Sequence, residues 1–213
     1  MLPQMEMTMR HIFKSFILSA PLVLAAPMLA NATGFESTLS APLTTPVKID
    51  IRLSEDLAYR ANHLPKKLSD RGGSSRLGTA FGQNGHYGER DLNRLQERLE
   101  KKLTRRLEKK GIVVSDTATT VFRVTIIDAE NNRPTFEQLS RETSLSYNNS
   151  VGTGGAEFEA EILAVDGSSL GIINYDWFET DIRDSSFGGT WRDANRAIDR
   201  FARRVAKEFT TAS

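Results

Sequence analysis

The chain has no cysteine, and only three of its 213 residues are histidine. Without cysteine there is no disulfide, no thiolate metal site, no cysteine nucleophile and no lipobox residue to acylate. With His11 in the N-terminal stretch, only His63 and His86 are left for metal binding or Ser-His-Asp chemistry, too few for either at recognisable spacing. An excess of either charge is missing as well. Lys and Arg number 28 against 27 Asp and Glu, a formal net charge of +1, so no global field points to nucleic acid.

Long apolar runs are scarce, and the most prominent lies at the start. Arg10, His11 and Lys14 precede the run from Phe16 to Ala26, and Ala30-Asn31-Ala32 then gives a small-x-small pattern. This is the pattern of a signal peptide over residues 1–32, cleaved after Ala32. Pro21 and Pro27 interrupt the run, and it falls short of the ~20 residues that span a bilayer. The expected destination is the periplasm, free or associated with the outer membrane.

The remainder of the chain reads as a flexible lead over residues 33–45 and one domain over residues 46–210. Val47, Ile49, Ile51 and Leu53 alternate with charged residues as a half-buried strand does. Residues 54–64 have the length of a short helical turn. Residues 69–88 contain six glycines and read as a long surface loop. Leu92, Leu95, Leu99, Leu103 and Leu107 recur at steps of three and four, predicting a helix over 89–110 that stops at Gly111. Ile112-Val113-Val114 and Thr120 to Ile127 read as strands, and residues 128–150 as a polar connection. Thr190 and Asp193 have the spacing of a capping box opening a last helix at about 191–209. Its apolar stripe is Trp191, Ala194, Ile198, Phe201, Val205 and Phe209.

Residues 156–165 and 170–180 flank Asp166-Gly167-Ser168-Ser169, a hairpin signal. Closing the hairpin over those four residues pairs Phe158 with Trp177, Ala160 with Tyr175 and Ile162 with Ile173. The opposite face then sets Glu157 by Phe178, Glu159 by Asp176 and Glu161 by Asn174. The element order predicts an α+β two-layer sandwich, a mostly antiparallel sheet with two helices on one face.

Several motifs lack the context their chemistry needs. Gly167-Ser168-Ser169-Leu170-Gly171 matches G-x-S-x-G, but a strand follows it and no histidine comes after His86. Gly152-Thr153-Gly154-Gly155 lacks the Lys-Ser/Thr of a phosphate loop and runs into a strand, so it reads as a turn where backbones approach closely. Gln83, Asn84, His86 and Tyr87 could form a polar recognition loop. Glu157, Glu159 and Glu161 form an acidic comb with Asp176 nearby and Arg123 as a potential intervening cation. Same-face strand residues lie roughly 6.6 Å apart, a separation used by paired catalytic carboxylates, yet acids also mark the solvated face of an antiparallel sheet. Both helices are rich in arginine and lysine, interleaved with acids at pairing distance.

The stretch from Gly154 to Thr180, and the closing segment with Trp191, Asp193, Ala197, Asp199 and Ala202, resemble a family of uncharacterised bacterial envelope proteins. Many of its members are lipoproteins, and this chain departs from them in lacking a lipobox cysteine. The resemblance spans about residues 110–210 and implies no catalytic residue and no cofactor. The expectation is an exported, non-enzymatic protein that binds an envelope protein or cell-surface component. One alternative is a hydrolase or metal-binding protein using Glu157, Glu159, Glu161 and Asp176. The other is a peripheral binder of anionic membrane through the basic helices.

Overall fold

A computed structural model of the chain describes residues 34–63, 88–134 and 136–211. The expected signal peptide lies outside the described residues, as does the glycine-rich loop up to residue 87 with Gln83, Asn84, His86 and Tyr87. Among the described residues no helix is long and apolar enough to cross a membrane.

Five strands form one sheet: β1 (Phe35–Ser37), β2 (Val47–Leu53), β3 (Thr120–Glu130), β4 (Gly155–Leu163) and β5 (Ser169–Phe178). Their spatial order is β1-β5-β4-β3-β2. Only β2 and β3 run parallel; the other pairs are antiparallel. Between β2 and β3 come helices α1 (Glu55–Asn62) and α2 (Glu89–Glu108); α3 (Phe136–Arg141) precedes β4, and α4 (Arg192–Thr211) closes the fold. The α+β expectation of a mostly antiparallel sheet with helices on it therefore holds.

The leucine stripe of α2 is wholly in the core, and the helix ends as its sequence predicts. Gly111 takes φ 83°, while Gly111 N–H and Ile112 N–H donate to the carbonyls of Glu108 and Leu107. That is the glycine-dependent termination of a helix. The apolar side of α4 packs on the sheet, where Phe201 stacks on Phe158 with centroids 4.9 Å apart and Phe209 meets Phe122 edge-on at 4.9 Å. Helices α2 and α4 together bury Phe122, Val124, Ile126, Phe158, Ile162, Ile173 and Tyr175 on one sheet face. Among the described residues the other face carries neither the α2 nor the α4 stripe, and it alternates as a solvated antiparallel face does.

Four expectations need correction. Residues 33–45 are not merely a flexible lead: β1 pairs with β5 along Phe35–Tyr175 and Ser37–Ile173, and Leu39 joins the core. The short strand covers the edge of β5, which would otherwise be an exposed strand edge. Ile112-Val113-Val114 is no strand, since only Val114 bridges to Val47. Residues 128–150 are not all connection, because β3 continues to Glu130 and α3 follows.

The fourth concerns the hairpin. It closes earlier than expected, with Ala164 N–H donating to Ser168 O and Gly167 N–H to Ala164 O, and Gly167 at φ 83°. A three-residue loop ending in a left-handed glycine is one of the preferred hairpin closures. With a further irregularity between Ile162 and Leu163, the pairs become Phe158–Tyr175, Glu157–Asp176 and Glu159–Asn174. The displacement from the expected register is two residues. An even shift preserves faces, so the apolar and acidic sides are as read, and only the partners change.

Candidate functional site

The open sheet face is built from four neighbouring strands, and the register fixes its rows. One row runs Asp50, Arg123, Glu161 and Ile172; the next runs Arg52, Thr125, Glu159 and Asn174. Beyond them β3 bulges between Ile126 and Asp128. A bulge leaves one residue out of the ladder and sharpens the strand's twist. Here it turns Asp128 to face Glu157, and Glu157 faces Asp176, so three acids form a third row.

Ser54 holds the bulge. Its N–H donates to Ile126 O at 3.0 Å and its hydroxyl to Ile127 O at 2.9 Å. The same hydroxyl accepts from Leu57 N–H at 3.2 Å as the N-cap of α1. The helix therefore starts at the bulge, and Arg60, near its end, reaches Asp128 at 2.7 Å. Ser54, Glu55, Asp56, Arg60, Ile127, Asp128 and Glu157 line an open depression of about 540 Å³.

Electrostatics differ along the face. Burial opposes ionisation of Asp50, but hydrogen bonds from Arg52 and Arg123 outweigh it and hold its carboxyl below the usual range. At the other end Glu157 is pushed up, first by burial and then by Asp176, Asp128 and Glu159. Glu130 is raised to about 7 by burial and by Asp128, with Arg60 only partly offsetting them. Carboxyl groups thus crowd at and beside the third row, where ionisation is disfavoured.

The structure brings together only some of the predicted residues. Arg123 donates to Asp50 at 3.2 Å and does not lie between Glu159 and Asp176. Glu159 is not opposite Asp176 but opposite Asn174 and Thr125. Asp176 faces Glu157 and accepts from the N–H of Gly34 at 3.2 Å. Asp128, Glu130, Glu55 and Asp56 were missed, since the strand was expected to end at Ile127. The signal available was Ser54-Glu55-Asp56, an N-cap followed by first-turn acids, which starts a helix at this spot. Among the described residues no group of three or more His, Asp or Glu side chains is arranged to hold a metal ion.

A second polar centre lies under the sheet end and is fully buried. Asp193 and Asn132 are both inaccessible to solvent. Asp193 accepts from Arg192 Nε at 2.9 Å and Nη2 at 2.8 Å, while Asn132 Nδ2 also donates to Gly152 O at 3.0 Å. Arg192 further donates to the hydroxyl of Ser186 at 2.6 Å and to its carbonyl. The expected capping box is therefore replaced: α4 begins at Arg192, and Asp193 answers Asn132 and Arg192 instead of Thr190. Gly152, Gly154 and Gly155 are needed because backbone presses on them. A Cβ on Gly152 would sit 2.7 Å from Asn132 O, one on Gly154 2.6 Å from Glu130 O, and one on Gly155 would run into Trp177 O. The glycine loop is a packing joint, as its lack of a following helix foretold.

The family model described as a protein of unknown function (DUF3313) matches residues 79–205, and the chain belongs to that family. The expected kinship with an uncharacterised family thus holds. No curated protein matches the chain. Two solved structures of PelC from Paraburkholderia phytofirmans, both described as dodecamers, are similar to it. The L103M variant is 9% identical with a TM-score of 0.43, covering 81% of this chain and 96% of its own. A second crystal form is 8% identical with a TM-score of 0.44, covering 84% and 99%.

Proposed function

We propose that this DUF3313 chain is an exported, non-enzymatic binding protein of the bacterial envelope, and that the open sheet face is its contact surface. One observation carries the reading. Among the described residues the α2 and α4 stripes pack on one side of the sheet, and the other side carries the acidic row Asp128, Glu157 and Asp176 at its bulged end. A sheet face on which carboxylates crowd together suits recognition of a cationic partner. Export is supported by the basic, apolar and small-x-small order of residues 1–32.

The test is a photoreactive residue at Ile172, which is 42% exposed on the open face, with Arg105 on α2 as control. Ultraviolet irradiation of intact cells is expected to give an adduct from position 172 and none from 105. No adduct at 172, or equal adducts at both, overturns the reading. Recovery of the full chain's product in the cytoplasm after osmotic shock overturns the exported part.

A further inference from the structure

Arg196, Arg200 and Arg204 recur at every fourth residue of α4 and lie on aromatic rings along the β5 side. The guanidinium carbon of Arg200 is 4.2 Å from the Trp177 ring centroid and that of Arg196 is 6.0 Å. Arg204 is 5.5 Å from Tyr175 and 5.9 Å from Phe35. Arg196 reaches Asp193 at 3.4 Å, but Arg200 and Arg204 pair with no carboxylate among the described residues. A guanidinium lying on a ring keeps its N–H edge for another acceptor.

Four helical residues rise about 6 Å, so the stripe presents cations at that interval. On β4, Glu157, Glu159 and Glu161 share a face at roughly 6.6 Å intervals. The two periods agree across three positions. Directly across Glu159 on its two ladders stand Thr125 and Asn174, neither of them a cation. The comb and the stripe cannot meet within one chain, because α4 covers the opposite face of the sheet.

We propose that the Glu157, Glu159 and Glu161 comb of one copy docks on the Arg196, Arg200 and Arg204 stripe of a second copy, joining them front to back. The proposal rests on the open face being a binding surface and names the partner of that face. Two different patches meet, so the contact is heterologous: copies add in one direction until a ring closes or a filament grows. Charge pairing in such a contact is screened by salt.

Sedimentation velocity of the protein recovered from producing cells provides the test. Wild type is expected to assemble at ~10 mM salt and to dissociate at ~1 M, where the Debye length falls from roughly 30 to 3 Å. Two variants each lose one patch. E157Q/E159Q removes charge from the comb, and R200M/R204M keeps an apolar cover over Trp177 and Tyr175 without the cations. Thermal unfolding of each is measured alongside, so that misfolded protein is set aside. Each variant alone is expected to be monomeric at low salt, and an equal mixture to give a dimer and nothing larger, since each supplies the patch the other lacks. Wild type that stays monomeric at low salt, or variants that assemble alone, overturn the proposal. So does a mixture that stays monomeric. Flotation of monomeric wild type with anionic vesicles, lost in R200M/R204M, would assign the stripe to lipid and also overturn it. If the Ile172 adduct then contains a different protein, the binding face stands while self-docking fails.

Discussion

Asn132 and Asp193 hold each other by two hydrogen bonds inside the protein: Asn132 Nδ2 donates to the carboxylate at 2.5 Å, and Asp193 N–H donates to Asn132 Oδ1 at 2.9 Å. Asn132 N–H also donates to Thr190 O at 2.7 Å, so one side chain and its backbone fasten the end of β3 to the start of α4. Removing one partner leaves buried polar groups without an acceptor or donor, which costs more than the pair contributes net. Asn132→Ala is expected to destabilise by roughly 2–4 kcal/mol, and Asp193→Ala by as much, since Arg192 then loses its carboxylate. The double variant should cost clearly less than the sum, because the two groups are coupled. Urea unfolding of the three variants checks this; additive losses would refute the coupling.

Gly155 and Gly167 separate two reasons for glycine. Gly167 needs a left-handed backbone but has nothing within 4 Å of a Cβ. Gly167→Ala is expected to cost about 1–2 kcal/mol, the strain of an L-residue in that conformation. Gly155 has an ordinary backbone but lies against the carbonyl of Trp177, at the end pair of the β4–β5 ladder. Gly155→Ala forces strands apart and should cost at least ~3 kcal/mol, beyond the usual range of overpacking. Comparison of unfolding midpoints decides; equal costs would contradict the close-approach account.

Most of the fold was legible because period and face survive small errors. The α2 leucines, the α4 stripe and both sides of β4 and β5 follow from spacing alone, and a two-residue misjudgement of the turn left every side chain on its proper face. The site was less legible because it depends on partners. Whether Glu159 faces Asp176 or Asn174 is decided by one glycine in the turn and one irregularity beside Leu163. The third acidic row exists only through the bulge after Ile126, which breaks the alternation by which a strand is recognised. Asp193 illustrates the same point: its spacing from Thr190 reads as local capping, while its actual partner is 61 positions away.

The closing segment of the family resemblance acquires physical content in α4. Ala197 and Ala202 are fully buried, and Asp199 pairs with Lys102 of α2 at 2.7 Å. Small residues let α4 lie close against its neighbours, and the exposed side of that contact carries the ion pair. Ala202→Leu is expected to destabilise by about 1–3 kcal/mol through overpacking. Asp199→Asn should cost less than ~1 kcal/mol, because the pair is partly solvated. Urea titration of both variants tests the ranking, and a reversed order would show that charge, not packing, fixes α4 on α2.

Glu130 gives stability a pH dependence whose sign can be worked out. Its carboxyl is raised from 4.5 to about 7, chiefly by burial and by Asp128, so the folded protein keeps a proton that the unfolded chain releases near pH 4.5. Between those values the folded state binds more protons, and stability falls as pH rises. The contribution is complete below about 4.5 and gone once pH has passed about 7. At 1.36 kcal/mol per unit, discounted for partial solvation and for Arg60, the loss is roughly 1–3 kcal/mol. Asp50 and Asp181, both held low, lose their contributions only in acid below this window. Glu157 is raised as well and acts in the same direction, so wild type must be compared with Glu130→Gln and not with a flat baseline. The variant cannot ionise; its stability should exceed wild type above pH ~7.5 and converge with it near pH ~5. Urea unfolding of both proteins at intervals across that range is the measurement. Parallel curves would mean that Glu130 ionises as freely in the folded chain as in the unfolded one.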